Sequence, residues 1–192
     1  MLTQQSPPSA EPLSLAEAKL HLRVDADITE DDSLITALIV TARQQAEHRT
    51  GRALVTQQWR LGLDQFPDDS LELPLPKLQS VQSVTYLDAD GVRQTLAGAK
   101  YDVVTDELVG RLLPAFGKTW PDCRIRPGSV QVSYTCGYGA AADVPQSIKA
   151  WMLLAIAAWY ENREALTSGQ PVAELPRSFW NGLLDPFYVP GA

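Results

Sequence analysis

The sequence predicts an α+β protein, a helical bundle carrying an inserted antiparallel β subdomain. Two changes of pattern predict it. Apolar residues recur at helical spacing up to position 50 and again after position 143, whereas between them they alternate with polar residues. The middle stretch is also cut at short intervals by Pro, Gly and Asp pairs, as short strands and turns require. The expected organisation is a disordered leader over 1–12, a helical subdomain made from 13–53 and 143–188, and an inserted β-rich subdomain over 54–142.

The leader, MLTQQSPPSAEP, has neither a basic n-region nor an apolar h-region and is not expected to be a signal peptide. The first helix is expected to start at Ser14, where Ser14 and Glu17 make an S-x-x-E capping box behind Pro12. Leu15, Ala18, Leu20 and Leu22 give it an apolar stripe that ends near Arg23. Thr29 and Asp32 form a second capping signal, and the acidic run Glu30-Asp31-Asp32 suits the positive end of a helix dipole. Leu34, Ile35, Leu38, Ile39, Ala42 and Ala46 then place a long helix at about 31–50, closed by Gly51. Val55, Trp59, Leu61 and Leu63 open the alternating region. Further strands are expected at Leu71–Leu73, Val81–Leu87, Val92–Leu96, Tyr101–Val104, Leu108–Leu113 and Ser129–Cys136, with a hairpin turn at Asp88-Ala89-Asp90-Gly91. Asp143 and Gln146 read as the box that starts a last long helix, which runs to about Glu164; a short helix at Arg177–Leu184 follows.

Composition bounds the chemistry. A chain of 192 residues that is 45% hydrophobic and 20% charged suits a globular protein able to bury its own core. The net charge of −7, with 16 scattered basic residues, argues against broad contact with phosphates. The densest basic group, Arg43, Arg49 and Arg52, sits beside Glu47 and reads as a solvated, partly paired helix face. Cys123 and Cys136 belong to no CxxC pair and are expected to be two reduced thiols. The most apolar run, Ala150 to Tyr160, is shorter than the roughly 20 residues of a membrane span, so no membrane partner is expected.

No constellation carries catalysis. His21 and His48 lie on separate helices without a ligand pattern, so a zinc site with the two cysteines would need four distant segments to converge. No G-x-S-x-G elbow occurs, and Asp31–Asp32 and Asp68–Asp69 are adjacent pairs that cannot face each other across a cleft. Gly137-Tyr138-Gly139-Ala140-Ala141-Ala142 satisfies G-x-G-x-x-[GA], but Asp143 and Pro145 push the helix start beyond it and no second βαβ strand follows. It reads as a glycine-rich linker leaving the β subdomain. No cofactor and no metal are expected.

The run Ala150–Tyr160 is apolar around the whole helix circumference and must be covered on every side, by its own core, by a neighbouring subunit, or by both. The order of features around it resembles a known group. LSLAEAKLHLRV (Leu13–Val24) precedes DDSLITALIVTARQQAEHRTGRAL (Asp31–Leu54), and VPQSIKAWMLLAIAAWYENRE (Val144–Glu164) precedes LPRSFWNGLLDPF (Leu175–Phe187). Together these resemble the phage head–tail connector (adaptor) family, in a longer, often prophage-encoded subgroup that carries a β insertion.

The resemblance implies a connector-like helical bundle without enzymatic activity, assembled as a homo-oligomeric ring around the DNA exit channel. It implies a portal protein on one side, tail-completion proteins on the other, and DNA that passes without specific binding. It further implies residence in the virion at the head–tail junction, and in the host cytoplasm during assembly. The residues expected to make subunit or partner contacts are Trp159, Tyr160, Arg163 and Glu164, then Arg49 and Arg52. The alternative is a small-molecule or carbohydrate binding module on the β part, with Trp59, Tyr86, Tyr101 and Trp120 as its platform. The charge balance makes a first prediction: no binding of free duplex DNA at physiological salt. Fluorescence anisotropy at micromolar protein checks it, and a salt-sensitive shift contradicts the passive channel.

Overall fold

A computed structural model of the chain describes residues 1–106, 108–163 and 182–190. Two compact units emerge, each built from separate stretches of sequence. One combines Met1–Ser9 with Val55–Tyr138, the other Ala10–Leu54 with the described residues of Gly139–Gly191.

The helical unit holds α1 (Leu15–Leu22), α2 (Asp32–Thr50) and α3 (Gln146–Glu161). The Ser14 box forms as its sequence requires: the Glu17 backbone N–H donates to Ser14 Oγ at 3.2 Å, and the Ser14 N–H donates back to Glu17 Oε2 at 2.7 Å. Arg23 takes the left-handed conformation that ends α1, and Gly51 does the same for α2. Ile35, Ile39, Ala42 and Ala46 form the buried stripe of α2, at the i, i+4, i+7, i+11 spacing of one helix face. On α3 the buried residues are Ile148, Lys149, Trp151, Met152, Ala155 and Ile156.

Several expected details differ. Leu20 is 81% exposed, and its place in the core is taken by the neighbouring Lys19, 5% exposed. Lys19 Nζ reaches over the loop between α1 and α2 to bind Ala26 O, Ile28 O and Asp32 Oδ1, the last at 2.7 Å. Such a full set of acceptors is what a buried ammonium needs. Asp31 stands at the N-cap of α2 but makes no capping bond there. Asp143 caps the single 3-10 turn Ala141–Asp143, accepting the Ala140 N–H at 2.8 Å, rather than α3 itself. The helix α3 stops at Glu161, and most of the expected helix at Arg177–Leu184 lies outside the described residues.

The sheet unit contains eight described strands: β1 (Leu2–Ser6), β2 (Gln57–Leu63), β3 (Leu71–Leu73), β4 (Leu78–Leu87), β5 (Arg93–Thr95), β6 (Tyr101–Val104), β7 (Gly110–Pro114) and β8 (Val130–Cys136). They form a five-stranded sheet in the order β1-β2-β8-β4-β5 and a three-stranded sheet in the order β3-β7-β6, with every pairing antiparallel. Val84, Val130, Val132, Tyr134, Leu71, Leu73 and Leu112 make up the core of this unit. Strand β1 falls within the stretch expected to be a disordered leader. All five of its residues are exposed, so backbone pairing with β2, and no apolar alternation, holds it in place.

The glycines of the G-x-G stretch have a conformational role. Gly137 has φ +121°, and a Cβ there would stand 2.5 Å from Val55 O and 2.7 Å from Val55 C. The chain thus enters the sheet unit at Val55 and leaves it at Gly137 with the two backbones in contact. Replacing Gly137 by Ala is expected to destabilise the protein by at least about 1–3 kcal/mol. Urea unfolding checks this; an unchanged midpoint contradicts the close approach.

Candidate subunit interface

The site is built on α3 and on the helix end that α3 meets. One face of α3 is buried; Leu153, Leu154, Ala157, Ala158 and Trp159 are only half-buried, and Ala150 is exposed. A helix apolar on all sides is therefore covered on one side within its own unit and left partly open on the other.

At the C-terminal end of α3 the open face closes in a polar cluster. The Tyr160 hydroxyl donates to Asp31 Oδ2, Arg163 Nη2 donates to the same oxygen at 2.8 Å, and Arg163 Nε donates to Tyr160 O at 3.3 Å. The guanidinium lies over the Tyr160 ring, 4.5 Å from its centroid. Asp31 is thus drawn away from helix capping by two donors, Tyr160 on α3 and Arg163 just beyond it. The Tyr160 hydrogen bond and then Arg163 hold the Asp31 carboxyl below the usual carboxylate range. The same hydrogen bond pushes the Tyr160 phenol above its ordinary value, and Asp31 likewise raises Arg163.

The structure places the sequence-expected contact residues unequally. Trp159 and Tyr160 are half-buried on α3 and Arg163 is exposed just beyond it, whereas Glu164 lies outside the described residues. Arg49 is exposed on α2, its guanidinium 5.5 Å from the centre of the Trp151 ring. Arg52 is 9% exposed, and its Nε donates to Phe187 O at 2.5 Å, next to the bond from Val189 N–H to Thr50 O. It fastens the segment after Leu184 to the end of α2. Arg43 is buried too, bound to Glu11 at 2.8 Å and Glu47 at 2.7 Å. The basic group read as a solvated helix face is thus mostly internal: only Arg49 of the three faces solvent. Asp31 is the residue that sequence reasoning missed. Its position in the acidic run pointed to the helix dipole, and nothing local announced a partner 129 residues away.

In the sheet unit the four aromatics of the alternative reading are divided. Phe66 stacks on Trp120 at 4.9 Å and meets Tyr86 edge-on at 5.8 Å. Trp59 lies in β2, where its Nε1 donates to Gln57 Oε1, and Tyr101 lies in β6 of the other sheet. Cys123 and Cys136 are not joined in a disulfide; the first is half-buried and the second buried. Among the described residues no group of three His, Cys, Asp or Glu could hold a metal ion, and no helix is long and apolar enough to cross a membrane.

The cluster makes a pH prediction. A carboxyl whose folded value is lowered stabilises the fold above its unfolded value, and that contribution is lost as pH falls through the folded value. The Asp31→Asn variant should therefore be less stable than the parent at neutral pH, with the gap closing in acid below the usual carboxylate range. Urea midpoints across a pH series check this; a gap independent of pH contradicts it.

The chain is similar to known proteins in sequence and in fold. Residues 12–86 match the family of phage gp6-like head-tail connector proteins. No curated protein matches the chain. Among solved structures, a chain from the neck of an empty gene transfer agent particle, computed with C6 symmetry, matches with a TM-score of 0.80 and 24% identity; the match covers 100% of this chain and 98% of that one. A chain of the native gene transfer agent virion matches at 0.77 and one from the native neck, computed with C12 symmetry, at 0.75, both with 25% identity and the same coverage. In sequence over 12–86 and in fold over its length, the chain is similar to phage head–tail connector and particle-neck proteins, which are structural components of particles and not enzymes.

Proposed function

We propose that this protein is a structural neck component that joins a phage-type head to its tail as a homo-oligomeric ring around the DNA exit channel. The observation that carries the reading is the match of the whole chain to particle-neck chains, joined to the connector match over 12–86. Those necks were computed with C6 and C12 symmetry, which supports a closed ring here. Within the ring, the half-buried side of α3 from Leu153 to Trp159 meets a second copy, with Tyr160 and Arg163 at the rim. The portal protein lies on one side and tail-completion proteins on the other. The sheet unit is an insertion in the connector-like helical part. Work is done by adhesion and shape, with no turnover, and a net charge of −7 keeps the channel from gripping the DNA that passes. The protein resides at the head–tail junction of the particle, and in the host cytoplasm until it is assembled.

Native mass spectrometry over a concentration series, alone and with portal protein, tests the reading. The parent is expected to form a closed oligomer under one of these conditions, and Leu154→Asp to abolish it without loss of fold. Trp151→Ala, on the buried side, should instead cost about 3–5 kcal/mol of stability. A strict monomer under every condition, with no portal association, overturns the assignment.

A further inference from the structure

Apart from α3, the sheet unit carries a second candidate contact surface. After β7 the chain turns at Ala115-Phe116-Gly117-Lys118, where Lys118 N–H donates to Ala115 O at 2.8 Å. Gly117 has φ +69°, as the third position of a type II turn requires, and nothing lies within 4 Å of where its Cβ would be. The turn leaves Phe116 fully exposed, and the same connection carries Ile125, 71% exposed. Exposed apolar side chains of that size gathered on one connection mark a contact surface.

Two shallow cavities of about 320 and 300 Å³ lie along this connection and share Asp68. The first is lined by Phe66, Trp120, Asp122 and Ile125, the second by Asp69 and Phe116. In the first, the buried Phe66 stacks face-to-face with the half-buried Trp120, the rings inclined by 8°. Its indole N–H is already committed to Asp69 O at 3.2 Å, so the stack offers a π surface and no donor. Around it, the carboxylates of Asp68, Asp69 and Asp122 are exposed, and among the described residues no basic side chain pairs with them. The nearest cation in the lining is Lys118, in the second cavity.

We infer that this groove docks a basic segment of another protein chain, through an arginine that lies on the Trp120 ring between Asp68 and Asp122, with an adjoining apolar residue against Phe116 or Ile125. A guanidinium satisfies both features at once, since it stacks on an aromatic face and bonds carboxylates with its edge. Bound small molecules are mostly enclosed, and cavities this shallow suit instead a single side chain from a partner. The inference is independent of the ring, because it uses no residue of α3.

Heteronuclear NMR of the full chain, following the Trp120 indole N–H assigned with Trp120→Phe, tests it. The probes are the peptides acetyl-Arg-Leu-Arg-amide and acetyl-Glu-Leu-Glu-amide at millimolar concentration. The arginine peptide should move the Trp120 resonance saturably, and the glutamate peptide should leave it in place. Asp68→Asn and Asp122→Asn, both at exposed positions, should each weaken the response by about fivefold. No saturable movement, an equal response to the glutamate peptide, or an undiminished response in the two variants overturns the inference.

Discussion

Strand β8 is hydrogen-bonded along its whole length on both sides, from Val130 to Cys136, to β2 on one side and to β4 on the other. An inner strand of this kind has both edges occupied, so its register fixes that of its neighbours. Its side chains Val130, Val132, Tyr134 and Cys136 point one way, and none is exposed. Tyr134 is the largest of them, and its buried phenol, pushed far above the ordinary value by desolvation, finds its one acceptor at Pro74 O, 2.9 Å away. From the end of β8 the backbone passes Gly137 against Val55. The strand therefore also sets where the chain enters and leaves the sheet unit, and two adjacent ends are what allow such a unit to interrupt a helical one.

The helical unit treats its cations in a consistent way. Lys19, Arg43 and Arg52 are all nearly buried, and each is held by acceptors of its own unit: Asp32 and two carbonyls, Glu11 and Glu47, and Phe187 O. Buried charges of this kind tie loops and helix ends to fixed places, because removing one partner leaves the other uncompensated. They also withdraw positive charge from the surface. Asp25, Asp27 and Glu30 remain exposed in the loop before α2.

Much of this architecture was legible because local rules and tertiary demands agree. The Ser14–Glu17 box, the stop at Gly51, the stripe of α2 and the alternation of β8 each combine a local signal with burial of the same residues. What escaped was nonlocal. Strand β1 has no buried residue, so no pattern announced it, and only the free edge of β2 makes it a strand. Leu20 and Lys19 exchanged places because Lys19 finds three acceptors that lie up to thirteen residues on. For the proposed interface, the apolar run of α3 was visible in the sequence, and so were Tyr160 and Arg163 as the residues at its end. The role of Arg52 was not, since its partner Phe187 is 135 residues away.

The interleaving of the two units bears on how the protein is made. Helix α2 leaves the ribosome before Val55–Tyr138, the main stretch of the sheet unit, and α3 only after it, yet α2 and α3 belong to the same core. At roughly 5–20 residues per second, the stretch from Val55 to Tyr138 keeps α2 without its partner for on the order of ten seconds. During that time the stripe of Ile35, Ile39, Ala42 and Ala46 has only α1 to shelter it. Closure of the sheet, which brings Gly137 back to Val55, shortens the loop that α3 must then close from a long flexible chain to a short fixed span. The unit that interrupts the helices in sequence is, during synthesis, also what holds their two halves close enough to meet.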